Sequence, residues 1–101
     1  AELLGFLAKN GIEAPRAAEL LAQFPVTSAP AAGAAKLMVS QAETKLFTID
    51  LLEKDLGYAI AAAEKSGSAL PGASRTREIF QNAKARGWGA ENFSSIARIF
   101  S

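Results

Sequence analysis

Glycines and prolines divide this chain into short segments, and each segment repeats its apolar residues at helical spacing. Gly11, the run of Pro25, Pro30 and Gly33, then Gly67, Pro71 and Gly87 are the dividers. None of the pieces between them alternates apolar and polar residues with the period of two that a half-buried strand requires. The fold expected is therefore all-α, a single helical domain of about five to six helices, with no internal repeat.

The segments are read in order. "AELLGFLAKNG" is a short amphipathic helix with Leu3, Leu4 and Leu7 on one side, stopped by Gly11. It has neither a capping residue nor an initiator Met before Glu2, and so reads as a helix that has been cut. "EAPRAAELLAQF" is a second helix, with Pro15 suited to its first turn. After the break at "FPVTSAPAAG", a third helix is expected from about Ala31 to about Glu43. Phe47 and Thr48 lead into the longest helix, which ends at Gly67. A fifth starts at Pro71 or Ser74 and stops at Gly87. "WGAENFSSIARIF" is a short last helix.

Composition excludes several chemistries. Among 101 residues there is no Cys and no His, which removes disulfides, zinc fingers, thiolate nucleophiles and His-dependent triads. No metal site is expected. No apolar run approaches the roughly 20 residues that cross a bilayer, and the N-terminus does not read as a signal peptide. A cytoplasmic protein without a membrane partner fits these features. Net charge is +1, too small for a general attraction to nucleic acid, and no docking motif for one is present. The charge is uneven: residues 67–101 carry five basic and two acidic side chains, net +3, against six and eight, net −2, in the rest. The basic part is a possible anion-facing surface.

The longest helix holds an anomaly. On a wheel of about 100° per residue, Glu53, Gly57 and Glu64 of residues 51–65 share one side, taken here as wet. Leu51, Leu52, Leu56, Ala59, Ala62 and Ala63 spread over the other, and Asp55 falls in the middle of that apolar arc. Lys54 and Lys65 flank it, where long stems can snorkel. Asp55 is then a surface acid near the N-terminal turn, the partner of a base on a neighbouring helix, or the wall of a polar cleft.

With these residues in place, the chain resembles the C-terminal domain of the β-hydroxyacid dehydrogenase family. The family includes 3-hydroxyisobutyrate dehydrogenase, tartronate semialdehyde reductase and succinic semialdehyde reductase, relatives of 6-phosphogluconate dehydrogenase. The resemblance rests on Phe47 followed by Lys54-Asp55-Leu56-Gly57, and on the close Gly87-Trp88-Gly89 with Glu91-Asn92-Phe93-Ser94. The "KNGIEAPRAAELL" stretch and the "TSAP" turn extend it over nearly the whole chain. It implies a 6-phosphogluconate dehydrogenase C-terminal-like fold and a parent enzyme that uses NAD or NADP on a small hydroxy acid or its semialdehyde. The parent's Rossmann domain, with its glycine-rich loop, and the inter-domain helix with the catalytic Lys have no counterpart in this sequence. The chain is thus expected to be the last third of such an enzyme, inactive alone, supplying one cleft wall and a dimer interface in a homo-oligomer.

The resemblance also assigns roles. Lys54 is the cofactor-binding lysine, Asp55 a supporting residue beside the absent catalytic Lys, and Phe47 an aromatic on the substrate side. Other candidates are read plainly: Arg75 and Arg77 as a solvated helix face, Tyr58 as cleft hydroxyl or packing, Trp88 as an anchor of the last turn, Ser94 and Ser95 as capping or surface residues. The alternative to the enzyme part is a free-standing helical interaction module in which Asp55 pairs with a partner chain.

Overall fold

The computed structural model describes residues 1–40 and 43–101. Its helices are α1 (Glu2–Lys9), α2 (Ala14–Gln23), α3 (Ala29–Ser40), α4 (Ile49–Lys65) and α5 (Pro71–Ala85), followed by a 3-10 helix over Phe93–Ile99. The all-α expectation holds. The β structure among the described residues is an isolated bridge between Thr48 and Asn92.

Local chemistry explains most of the boundaries. Pro15 and Pro71 occupy the first turns of α2 and α5, where no backbone donor is needed. Pro30 does the same in α3, which starts two residues before the expected Ala31, with the Ser28 hydroxyl accepting from the Ala31 amide at 3.2 Å. Glu43, the expected end of that helix, is not helical, and residues 41 and 42 lie outside the described residues. Thr48 caps α4, its hydroxyl accepting from the Leu51 amide at 3.3 Å. Gly67 and Gly87, at φ +72° and +83°, end α4 and α5 in the left-handed region that glycine enters without strain.

The chain divides into two compact units. The first comprises Ala1–Glu43 and Ser94–Ser101, the second Thr44–Phe93. In the first, α2 packs on both α1 and α3. Leu4, Ala17 and Ala18 are buried, and Leu7, Ile12, Leu21, Ala35, Met38 and Val39 close around them. Leu3, expected to share the apolar side of α1, is instead 59% exposed. Gly5 faces Phe100 so closely that a side chain at residue 5 would overlap it.

In the second unit, the short connection over residues 66–70 folds α5 back along α4, the most extensive helix pairing among the described residues. Ile49, Phe80 and Ala83 are its buried apolar residues.

Candidate functional site

Helix α4 is held first at its start. Residues 46–50 run beside residues 89–93 and are tied to them by backbone bonds: Ile49 donates to the Glu91 carbonyl at 3.0 Å, Asp50 to Gly89 at 2.9 Å, and Phe93 to Phe47 at 2.8 Å. The buried Asn92 completes the strap, its Oδ1 accepting from the Leu46 and Phe47 amides at 3.0 and 3.2 Å. Gly89 lies close to Asp50, and a Cβ there would come to 2.5 Å from its carboxylate and displace it. The "G-x-G-x-x-N-F" close therefore fixes the segment that carries Phe47, which is half-buried.

Further along, α4 faces α5 through charge. Glu53 is only 7% exposed, and its carboxylate accepts from Arg77 Nε at 2.7 Å, Lys84 Nζ at 2.9 Å and Gln81 Nε2 at 3.4 Å. Lys84 also pairs with Asp50 at 3.3 Å. The hydrogen bonds from Lys84 and Arg77 hold the Glu53 carboxyl below its ordinary value, against the opposing effect of burial. Glu53, and then Asp50, raise the Lys84 ammonium. Gly57 is part of the arrangement, because a Cβ there would lie 2.9 Å from the Arg77 guanidinium.

This corrects the expected facing of α4 in part, for Glu64 is exposed and Leu52, Leu56 and Ala63 are half-buried as expected. Glu53 and Gly57, assigned to the wet side, form the packed side, and Asp55, assigned to the dry side, is exposed. Leu51 and Tyr58, and Ala59 and Ala62, are exposed along with it. The physical reason is pairing: a carboxylate can be buried when α5 presents two cations to it, whereas alanines cost little left in water. Arg77, expected to be solvated, is one of those cations. Arg75 is solvated as expected, with an exposed pair to Glu78. Trp88 donates its amide to the Ala83 carbonyl at 3.1 Å, closing the end of α5, and lies under the Arg86 guanidinium. Ser94 is buried rather than a surface residue.

Lys54 lies on the flank of α4, exposed, its ammonium 5.9 Å from the centre of the Tyr58 ring. It borders an open groove formed with Gly57, Tyr58, Arg77 and Lys84. Neither Asp55 nor Phe47 lines that groove: Asp55 lies further round α4, and Phe47 precedes its first turn. Neither Lys54 nor Asp55 makes a salt bridge among the described residues. Because Glu53 and Asp50 are engaged by α5, Lys54 keeps a charge that an anionic group could meet.

The cluster of Asp50, Glu53, Arg77 and Lys84 was missed as a site feature, yet its signal is in the sequence. Asp50 and Glu53 are three apart on α4, while Arg77, Gln81 and Lys84 follow i, i+4, i+7 on α5. The basic bias of the C-terminal part thus faces, in part, acids of its own unit.

Comparison with known proteins gives the family. Residues 1–100 match the family described as NAD-binding of NADP-dependent 3-hydroxyisobutyrate dehydrogenase. The chain belongs to this family, an NAD(P)-binding branch of the β-hydroxyacid dehydrogenases. It is also 33% identical over 54 residues to 2-(hydroxymethyl)glutarate dehydrogenase of Eubacterium barkeri, a match covering 54% of the chain and 18% of that relative.

Proposed function

We propose that this chain serves as the C-terminal, cleft-forming domain of an NAD(P)-dependent dehydrogenase or reductase acting on a small hydroxy acid or its semialdehyde. The observation that carries the reading is the family match over residues 1–100 together with Lys54, an exposed ammonium without an acidic partner among the described residues. A dinucleotide offers phosphate oxygens, to which such an ammonium gives a charge-assisted hydrogen bond. When bound, the nicotinamide supplies hydride to a carbonyl carbon or takes it from the corresponding alcohol. The roles of this chain are to hold and to orient: Lys54 binds the dinucleotide, Phe47 stands on the substrate side, and Asp55 supports a catalytic lysine contributed by another part of the parent. A carboxylate beside such a lysine raises its pKa and keeps it protonated to donate to the substrate oxygen. The exposed Leu51 and Tyr58 of α4 support a further element of the reading, an apolar surface that a second copy covers in a homo-oligomer.

The test is made in the full-length parent. Lys54→Gln should raise KM for the dinucleotide about tenfold or more, the worth of one charged hydrogen bond, with the folded state intact. Asp55→Asn should lower kcat with a smaller effect on that KM. Unchanged constants in Lys54→Gln would overturn the cofactor role.

A further inference from the structure

The residues given ligand roles on α4 occupy the side of the helix that this chain leaves uncovered. Taking Glu53 as the centre of the packed side and about 100° per residue, Lys54 lies a quarter-turn away, while Leu51, Asp55, Tyr58 and Ala62 lie within about 40° of the opposite pole. Packing on their own side therefore cannot set where Lys54 and Asp55 point. The other side must do so.

Apolar packing on that other side is non-directional. Ile49, at the first turn, is the fully buried large apolar side chain of the helix. Beyond it Leu52, Leu56, Ile60 and Ala63 are half-buried on this side, and burial of this kind holds the helix down without selecting one rotation sharply. Directional bonds are different. Glu53 holds three donors from α5, two of them charged, and the Arg77 guanidinium lies against the α4 backbone in the gap that Gly57 leaves. Rotation of α4 by one residue's worth of angle would carry the carboxylate off all three donors and bury an unpaired charge.

We propose that Glu53 is a positioning residue: held by Arg77 and Lys84, it fixes the roll of α4 about its axis and so aims Lys54 at its ligand. Gly57 is part of the device, because a Cβ there would come 2.9 Å from the Arg77 guanidinium and displace it. The proposal rests on the cofactor role given to Lys54 above. It adds a second requirement to that role, that the lysine be aimed as well as present.

The experiment uses the full-length parent and three variants: Lys54→Gln, Glu53→Met and Gly57→Ala. Glu53→Met keeps the volume and removes the lock, and the side chains of Arg77 and Lys84, 36% and 38% exposed, can then turn to water. Gly57→Ala leaves every charge in place, favours the helix by propensity, and displaces only the end of a flexible arginine. Expected is a rise of several-fold to tenfold in KM for the dinucleotide in both, with Tm held close to the parent's. The direction is informative, because loss of a negative charge near Lys54 would by itself lower that KM. In the Lys54→Gln background, neither change should raise KM further, whereas a merely structural role gives independent, multiplicative effects. If Lys54→Gln raises KM while Gly57→Ala and Glu53→Met do not, the lock is refuted and the cofactor role stands. If Lys54→Gln has no effect, the cofactor role falls first. Should Glu53→Met fail to fold, Gly57→Ala decides alone: a parent-like KM refutes the lock, and a raised one supports it.

Discussion

The two compact units are held together by different physics. In Ala1–Glu43 with Ser94–Ser101, Leu4, Ala17, Ala18 and Ile96 are buried with one polar residue, Ser94, and the Arg16–Glu19 ion pair is a surface one. In Thr44–Phe93, three buried apolar residues share the interior with the Glu53 carboxylate and the Asn92 amide, both hydrogen-bonded across the unit. Burial of aliphatic groups is non-directional and scales with area. Polar bonds are weaker in net stability but fix orientation. All three residues given ligand or support roles, Phe47, Lys54 and Asp55, lie in the unit built with directional bonds.

That contrast is broken or upheld first in the apolar unit. Leu4→Ala should cost about 2–5 kcal/mol of unfolding free energy, the usual range for a buried leucine that leaves a cavity. Leu4→Met, which keeps volume, should cost less than about 1.5 kcal/mol. Denaturant titration of the chain measures both. An equal loss in the two would mean that position 4 depends on shape-specific contacts, and the contrast between units would fail.

Asn92 provides the matching test in the polar unit. Asn92→Ala leaves the Leu46 and Phe47 amides without their acceptor and should cost about 1–3 kcal/mol. Asn92→Leu, close to asparagine in size, should do no better, because volume is not what the site needs. Asn92→Asp keeps an oxygen that accepts the same two bonds but buries a charge, so it should cost more at neutral pH than in acid, where the carboxyl is protonated. A leucine variant as stable as the parent would show that the strap is held by packing after all.

How much of this was legible in the sequence follows the same division. Helix boundaries were readable where one residue type decides them: Pro71 at a first turn, Gly67 and Gly87 as stops. The family was readable from Lys54 to Gly57 and from Gly87 to Ser94, and the match over residues 1–100 bears it out. The facing of α4 was not. A wheel sorts residues into sides but does not say which side meets the protein, and the usual rule, apolar in and charged out, points the wrong way for Glu53. The burial of Glu53 depends on Arg77 and Lys84, 24 and 31 residues away, so no window along α4 contains the cause. Asp55, the acid that looked misplaced, is exposed, and the buried acid is its neighbour but one.

The smallest expected effect concerns pH and separates the two units by their titration. Glu53 is held below the ordinary carboxylate value of about 4.5 by its bonds to Lys84 and Arg77. A depressed carboxyl binds fewer protons folded than unfolded, so its stabilisation is complete above that ordinary value and drains away as pH falls through the folded one. Lys84, raised above its ordinary 10.5, has the opposite sign: its contribution is complete below that value and is lost as pH rises through the folded one. The side chains of Arg77 and Lys84 are 36% and 38% exposed, so water screens the pairs and the effect falls below that of Leu4→Ala or Asn92→Ala. The measurement is unfolding free energy against pH for the parent chain and Glu53→Gln. The two curves should stand apart on the neutral plateau and converge in acid, because a protonated Glu53 and a glutamine are alike in charge. A gap that stays constant to the lowest pH would mean that Glu53 stabilises α4 through shape and neutral hydrogen bonds, and the directional charge that distinguishes the second unit would lose its energetic support.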